Sequence, residues 1–200
     1  MKLHYSATSP YVRKVMACAI ARGLEERIEK VATNPHASPP ELLADNPLSK
    51  VPTLVTDEGK AIFDSPVICE YLDSLGDAPK LFPADPPMRW TALTLQAVAD
   101  GIMDAAVGRR MQVSLPQDEG RQAYDARQKA AIDRSLALLE REVAALEGPL
   151  TIASIAVACA LGYLDFRFGH EPWREAHPKL AAWFAKASEA PALAKTVPVG

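Results

Sequence analysis

Proline is distributed unevenly along the chain, and this limits where long helices can form. Eleven of the 17 prolines fall within residues 1–87, and six are spread over the remaining 113. Residues 88–115 and 117–148 contain none. Because proline lacks a backbone donor and clashes inside a helix, we predict short elements in the first part and long helices in the second. The segment 77–87, with four prolines, is the predicted linker between a domain of residues 1–76 and an all-helical domain of residues 88–200.

The composition predicts a folded protein that binds neither nucleic acid nor a membrane. Apolar residues make up 48% of the chain and charged residues 24%, which is enough to build a sizeable core. The net charge is −3 and no block of like charges occurs, which argues against a surface for polyanions. Residues 148–164 carry no charge, but the segment is short and interrupted by polar residues for a bilayer span and predicts a buried core helix.

The cysteines and the amino terminus favour a cytoplasmic location. Cys18, Cys69 and Cys159 are odd in number and far apart, so we expect neither a disulfide framework nor a zinc site. Each lies in an apolar helical pattern, which is typical of a buried, inert thiol. The first residues, MKLHYSATSPYVRK, lack the apolar core of a signal peptide.

Elements of alternating type are predicted in the first domain and helices alone in the second. Candidate strands cover Lys2–Tyr5, Arg27–Val31, Val51–Thr56 and Ala61–Asp64, and helices begin at Ser9-Pro10, Ser38-Pro39-Pro40 and Ser65-Pro66. The order β-α-β-α-β-β-α predicts an α/β domain with a small mixed sheet of four strands. Further helices are predicted over 88–113, 118–146 and 152–168 and from His177-Pro178 onward, which indicates an all-α helical bundle.

Ser9 is the first candidate site residue, because it follows a strand and precedes a proline at a helix start. The ordinary interpretation is an N-cap, which contributes about 1 kcal/mol to helix stability. The functional interpretation uses the same N-terminus, whose free N–H groups and partial positive charge stabilise a thiolate or another anion. The local sequence leaves both interpretations open.

Two further junctions share these features. Pro52 interrupts a β-rich run: a cis bond would expose the backbone of Val51 to a ligand, whereas a trans bond would mark an ordinary edge strand. Asp64-Ser65 opens a second strand-to-helix junction, and these residues either cap the helix or bind the ammonium and carboxylate groups of a ligand. Such junctions gather at one end of an open sheet, where ligands bind.

Three motifs together resemble a known family. SPYVRKV at Ser9–Val15, NPLSKVPTLV at Asn46–Val55 and DSPVICEYL at Asp64–Leu72 have the order and spacing of the N-terminal thioredoxin-like domain of cytosolic glutathione S-transferases. The Pro-rich linker and the helical second half, including HPKLAAWF at His177–Phe184, are similar to that family's C-terminal domain. AVADGIMDAA at Ala97–Ala106 further resembles a bacterial subgroup of serine-type transferases. The resemblance covers essentially the whole chain.

The resemblance implies a glutathione transferase with glutathione as cosubstrate and no cofactor. Ser9 would donate a hydrogen bond to the glutathione sulfur and favour its thiolate. Val51 would pair its backbone with the peptide of glutathione. Asp64 and Ser65 would bind the γ-glutamyl end of glutathione. Lys50 would contribute to the glutathione site.

His36 lies in the loop where the family often places a basic contact to the glycine carboxylate of glutathione. The second substrate would be a small hydrophobic electrophile, held in a pocket between the domains that Met103, Val107 and Met111 would line. The family further implies a homodimer and a role in detoxification. Peroxide reduction or isomerisation at the same site, or binding without catalysis, are the alternatives.

Three positions depart from related patterns. Family members that carry out thiol–disulfide chemistry have a cysteine where this chain has Ser9, so that nucleophile is missing. Other branches use a tyrosine near the end of the first strand, but Tyr5 lies within the predicted strand and we assign it to sheet packing. The family commonly has an aspartate three residues after the position of Thr151, where it completes a helix cap. This chain has Ser154 there, which predicts a weaker cap.

Charged residues recur in the first long helix of the second half. Asp100 and Asp104 stand four residues apart and are followed by Arg109-Arg110. This spacing predicts a solvated or interface-facing side of the helix. In the alternative that the resemblance offers, Asp100 reaches the glutathione amine of a partner subunit.

Overall fold

The computed structural model describes residues 1–199, which form two compact units. The first comprises Met1–Phe82 together with the described residues from Pro191 on, and the second comprises Pro83–Ala190. The division after Phe82 falls inside the segment predicted as the linker, residues 77–87. The carboxyl end differs from the predicted domain of residues 88–200, because residues 191–199 belong to the first unit. Residue 200 lies outside the described residues.

A mixed sheet of four strands forms the first unit's framework. The strands are β1 (Lys2–Tyr5), β2 (Glu29–Ala32), β3 (Thr53–Val55) and β4 (Ala61–Ile62), in the order β2-β1-β3-β4. β1 is parallel to β2 and antiparallel to β3, and β4 is antiparallel to β3. The predicted α/β fold with a mixed four-stranded sheet is confirmed.

The helices of this unit begin where serine and proline predict them. They are α1 (Pro10–Ala21), α2 (Pro40–Asp45) and α3 (Ser65–Ser74), each with proline in its first two positions. Proline fits there because the first helical N–H groups have no partner within the helix. The chain leaves α1 through Gly23, whose φ of 68° suits a residue without a side chain. α1 buries an apolar stripe against the rest of the unit, in which Val12, Val15 and Ala19 are at most 1% exposed.

The second unit is helical, as predicted. Its helices are α4 (Pro86–Gln112), α5 (Glu119–Arg141), α6 (Ile152–Phe168) and α7 (Pro178–Ala187). The helix predicted over 118–146 ends at Arg141 and is followed by a 3₁₀ helix over Val143–Leu146. The uncharged α6 is buried on nearly every side, which places it in the core of the unit.

The short helix α8 (Pro191–Ala194) explains why the carboxyl segment belongs to the first unit. Its Leu193 is fully buried, and the Leu193 carbonyl accepts a hydrogen bond from Arg13 Nη2 of α1 at 3.4 Å. Lys195 Nζ lies 3.9 Å from Glu25 Oε2. The proline pattern predicted the linker between the two parts of the chain. It could not predict that the carboxyl segment packs on the first unit, because that packing joins residues far apart in sequence.

The cap of α6 forms a complete capping box although Ser154 stands where the family commonly has aspartate. The Thr151 backbone N–H donates to Ser154 Oγ at 2.8 Å, and the Ser154 N–H donates to Thr151 Oγ1 at 3.3 Å. The serine therefore completes a reciprocal capping box, a role usually filled by a longer acidic or amide side chain. Both capping bonds form with serine, and the predicted weakening relative to aspartate stays a prediction.

Arg109 is buried, which corrects its assignment to a solvated helix side. It is 5% exposed, and its guanidinium lies 4.5 Å from the centre of the Phe168 ring. Arg109 Nε donates to Asp125 Oδ1 at 2.8 Å, and Nη2 donates to Glu171 Oε1 at 2.6 Å. The side chain thus joins α4, α5 and the segment after α6. Arg110 is exposed, as expected.

Candidate functional site

The strand registers bring four chain segments to one end of the sheet. β1 and β2 are parallel and both end there, with Tyr5 opposite Ala32. β3 begins there, with Thr53 opposite His4, and β4 ends there because it runs antiparallel to β3. We call this the β1-carboxyl end. The candidate glutathione-binding residues all lie in or beside the segments that meet at this end: Ser9, His36, Lys50, Val51, Asp64 and Ser65.

Ser9 caps the helix that leaves this end. It is half-buried, and its Oγ accepts a hydrogen bond from the Val12 backbone N–H at 3.3 Å. A hydroxyl has one proton and two lone pairs, so this contact leaves the proton for donation to a ligand. The N-terminus of α1 adds free N–H groups and a partial positive charge at the same point. Ser9 can therefore cap α1 and donate its hydroxyl proton to a bound anion at the same time.

The Val51 backbone lies just outside the sheet. The Val51–Pro52 peptide bond is cis, one of the two geometries that the sequence left open. β3 begins two residues later, at Thr53, which leaves the Val51 peptide groups outside its register with β1. Lys50 is exposed. The segment therefore presents an unpaired backbone and an adjacent positive charge at the β1-carboxyl end.

Asn46, the first residue of the NPLSKVPTLV motif, holds this segment in place. It is 1% exposed, and its Nδ2 donates to Thr53 Oγ1 at 2.9 Å and to the Lys50 carbonyl at 3.3 Å. Its Oδ1 accepts from the Leu48 N–H at 2.9 Å. These three bonds close the loop between α2 and β3. The motif includes Asn46, but only the folded chain shows which partners its amide meets.

Asp64 and Ser65 form the start of α3. Asp64 is the N-cap residue and is exposed, whereas Ser65 is 2% exposed. The Phe63–Asp64 peptide bond is also cis. The first N–H groups of α3 have no partner within the helix, and an exposed carboxylate stands beside them. The start of α3 thus offers N–H donors to a carboxylate of a ligand and the Asp64 carboxylate to an ammonium group of the same ligand.

His36 lies in the segment that follows β2. It is exposed, within a 3₁₀ helix over Pro35–Ala37 that Asn34 caps by accepting the His36 N–H at 3.1 Å. Ser49 Oγ donates to the Pro35 carbonyl at 3.1 Å, which ties the His36 segment to the Lys50 loop. The imidazole itself faces solvent at the same end of the sheet.

A buried histidine beneath these loops was not singled out from the sequence. His4, 1% exposed, places Nε2 2.8 Å from Asp45 Oδ2 and Nδ1 3.1 Å from Thr33 Oγ1. The hydrogen bond from His4, with the nearby charge of Lys2, lowers the pKa of the Asp45 carboxyl below its ordinary value. The two contacts of His4 join β1 to the end of α2, through Asp45, and to the segment that carries His36, through Thr33. An isolated histidine in a short strand gave no sequence signal for it.

Residues predicted to line a second-substrate pocket differ in exposure. Met103 is fully buried within α4, Val107 is half-buried and Met111 is 51% exposed. Asp100 is half-buried and Asp104 is exposed on the same helix. Their assignment to a ligand pocket or an interface stays a prediction.

Tyr5 and the cysteines lie where the sequence placed them. Tyr5 is half-buried at the end of β1, with Lys30 Nζ 5.9 Å from the centre of its ring. Cys18, Cys69 and Cys159 are all buried, and none of them is part of a disulfide. Within residues 1–199, no cluster of three or more histidine, cysteine, aspartate or glutamate side chains is arranged to hold a metal ion. None of the helices described here combines the length and apolar character needed to cross a bilayer.

Comparison with known proteins assigns the chain to a family. Residues 8–75 match the model of the glutathione S-transferase N-terminal domain, and residues 121–186 match that of the C-terminal domain. The chain belongs to the glutathione S-transferase family. The three-motif resemblance is thereby confirmed at family level, as is the thioredoxin-like first domain with a helical second one.

Relatives of this chain match it over its whole length. An uncharacterized GST-like protein of Escherichia coli K12, YibF, is 36% identical over 99% of this chain and 98% of the relative. A glutathione transferase family member from Pseudomonas fluorescens Pf-5, solved with bound glutathione, is 42% identical with a TM-score of 0.93, covering 100% of this chain and 99% of that one. A second structure from the same species contains S-(propanoic acid)-glutathione, with 42% identity, a TM-score of 0.90 and full coverage of both chains.

Proposed function

We propose that this protein is a serine-type glutathione transferase that stabilises the glutathione thiolate through Ser9 for attack on a small hydrophobic electrophile. The single observation that carries the proposal is the position of Ser9, with a hydroxyl proton available at the N-terminus of α1. Family membership and the glutathione bound in the P. fluorescens relative support glutathione as the thiol. The serine-type assignment rests on Ser9 and on AVADGIMDAA at Ala97–Ala106.

The proposed chemistry requires no cofactor. Ser9 Oγ–H donates to the glutathione sulfur, and the partial positive charge of the α1 N-terminus further favours the anion over the thiol. The thiol proton passes to solvent. The thiolate then forms a sulfur–carbon bond with the electrophile, while a leaving group departs with its electron pair or an activated double bond takes up a proton.

The remaining candidates at the β1-carboxyl end would hold glutathione for this step. Val51 offers backbone N–H and C=O groups to the peptide of glutathione. Asp64 pairs with the γ-glutamyl ammonium, and the Ser65 hydroxyl and the α3 N-terminus bind the γ-glutamyl carboxylate. The Lys50 ammonium and a ring N–H of His36 would donate hydrogen bonds to the glycine carboxylate. Binding at both ends, remote from the sulfur, fixes the thiolate in the geometry for attack.

The other parts of the proposal concern partners and location. Of the three residues predicted to line the second-substrate pocket, Val107 and Met111 have exposed surface to offer a ligand, whereas Met103 is fully buried. The protein would act as a cytoplasmic homodimer in the detoxification of electrophiles. Because a relative binds S-(propanoic acid)-glutathione, electrophiles that carry a carboxylate belong in a substrate panel.

Replacing Ser9 with alanine tests the proposal. A hydrogen bond to a charged group is worth about 1.5–3 kcal/mol, so Ser9→Ala should raise the thiol pKa of bound glutathione by about 1–2. The thiolate absorbance of the complex, titrated against pH, measures this value. Ser6→Ala, which removes a hydroxyl from the same loop, is the matched control and should leave the pKa unchanged. A wild-type pKa equal to that of free glutathione would refute the proposed role.

A substrate panel separates conjugation from the alternatives. A halogenated arene and a halogenated propanoate report conjugation, an organic hydroperoxide reports peroxide reduction, and a cis-unsaturated diketo acid reports isomerisation. We expect the highest kcat/KM with a conjugation substrate and a loss of at least tenfold in Ser9→Ala. Retention on immobilised glutathione without turnover of any panel member would instead indicate a binding protein.

A further inference from the structure

A cavity of about 220 Å³ lies in the first unit, along the side of α1. It is bounded by α1, by the segment between β1 and α1, and by the chain that follows α8. None of the six candidate glutathione-binding residues lines it. The cavity is therefore a separate feature from the loops assembled at the β1-carboxyl end.

Arg13 lines this cavity and is incompletely paired. The residue is 7% exposed, and its Nη2 donates to the Leu193 carbonyl at a long 3.4 Å. Its Nε and Nη1 are buried and meet no hydrogen-bond partner anywhere in residues 1–199. Leaving buried N–H groups of a charged side chain unpaired costs free energy, and such groups in folded proteins generally have a partner. An anion in the cavity would supply one.

The other lining residues combine positive charge with apolar surface. Lys30 and Lys195 line the cavity with Arg13, against the single acidic lining residue Glu25. Lys195 is the partner of that glutamate, at 3.9 Å, whereas the Lys30 ammonium stands near the Tyr5 ring. The excess of positive charge selects an anion.

The rest of the wall combines apolar side chains with the hydroxyl-bearing residues Tyr5, Ser6 and Thr196. Its apolar part comes from Val12, Met16 and Ile20 of α1 and from Val197, which follows α8. A bare inorganic anion would leave this surface uncovered, whereas a carboxylate with a short chain or ring would cover it. Guanidinium groups bind carboxylates in a planar, two-bonded arrangement.

We propose that this cavity binds a small organic carboxylate with an apolar body, whose carboxylate contacts the Arg13 guanidinium. The ligand differs from glutathione, which has polar groups along its length and is assigned to other residues. The site is independent of the thiolate chemistry proposed for Ser9.

Calorimetric titration of the full-length protein with benzoate tests the proposal. We expect saturable binding of one benzoate per chain, and no saturable binding of benzyl alcohol, which has the ring without the charge. Arg13→Met keeps the apolar length and removes the donors, and it should weaken benzoate binding by about tenfold or more. Unchanged affinity in Arg13→Met, or no saturable binding by the wild type, overturns the proposal.

A second pair of variants keeps the test decisive if Arg13→Met does not fold. Val197 is 58% exposed and lines the cavity, so Val197→Glu should fold and repel the carboxylate. Val113→Glu, at a position 61% exposed in the second unit, is the matched control and should bind as the wild type does. Equal loss in both variants contradicts the site. A final titration uses protein saturated with glutathione, where unchanged benzoate affinity supports a separate site and competition overturns it.

Discussion

Asn46 illustrates how a single buried amide can position residues that are themselves exposed. Its hydrogen bonds to Lys50, Thr53 and Leu48 hold the loop that carries Val51. The loop has few apolar anchors, so its conformation depends on these bonds. Asn46 is not one of the candidate glutathione-binding residues. It would affect glutathione binding by holding the loop that carries Val51.

Asn46→Ala should raise the KM for glutathione several-fold and leave kcat less affected, because the Ser9 chemistry is untouched while the binding loop loosens. The free energy of unfolding should fall by about 1–3 kcal/mol, since buried partners lose their hydrogen bonds. Steady-state kinetics and chemical unfolding measure both effects. Gln122→Ala, which removes an exposed amide from α5, is the control. A fall in kcat at constant KM would contradict the positioning role.

At the scale of elements, the helix starts are the most local features of this fold. Serine, threonine or aspartate precedes most of the longer helices, and proline often follows directly. The start of α6 shows that the partner of such a cap matters as much as the cap itself. Thr151 and Ser154 satisfy each other's backbone N–H groups at the entry to the most buried helix.

Ser154→Ala should lower the free energy of unfolding by about 1 kcal/mol, because the Thr151 N–H loses its acceptor at a buried helix start. Ser154→Asp, which restores the residue common in the family, should retain most of the stability. Ser114→Ala, at an exposed position after α4, should have no measurable effect. Urea unfolding followed by circular dichroism provides the comparison. Equal stability of Ser154→Ala and the wild type would show that the cap contributes nothing.

At the scale of the whole molecule, the second unit is held together by a charged group as well as by its apolar core. Arg109 binds Asp125 of α5 and Glu171 after α6 from its buried position on α4. The hydrogen bond from Arg109 lowers the pKa of the Glu171 carboxyl below its ordinary value of 4.5, and the same contact raises the pKa of Arg109. Removing either partner leaves the other incompletely compensated.

A lowered pKa in the folded state makes stability depend on pH in the acid range. The Glu171 contribution is complete above pH 4.5, the ordinary value of its carboxyl, and is lost as the pH falls through the lower folded value. Glu171→Gln should therefore reduce the melting temperature near neutral pH and flatten its decline on acidification. Glu189→Gln, an exposed glutamate of the same unit, is the control. Parallel pH profiles of the wild type and Glu171→Gln would contradict the linkage.

Local chemistry made much of the fold readable from the chain. The helix starts at Pro10, Ser65 and Pro178, the mixed sheet and the buried α6 were predicted, because caps, proline and apolar spacing act within a few residues. The three motifs that carry the family resemblance also lie at such local features. The candidate residues Ser9, Val51 and Asp64 were found in this way, since each stands next to a proline or a serine at an element boundary.

Long-range packing settled the rest. Strand register brings Ser9, Val51 and Asp64 to one end of the sheet, and no local pattern specifies which strands pair. The partners of Asn46 and Arg109, the cavity beside Arg13 and the return of the carboxyl segment to the first unit each join residues distant in the chain. Such contacts depend on the free energy of the assembled core, so they exist only once the elements have packed together.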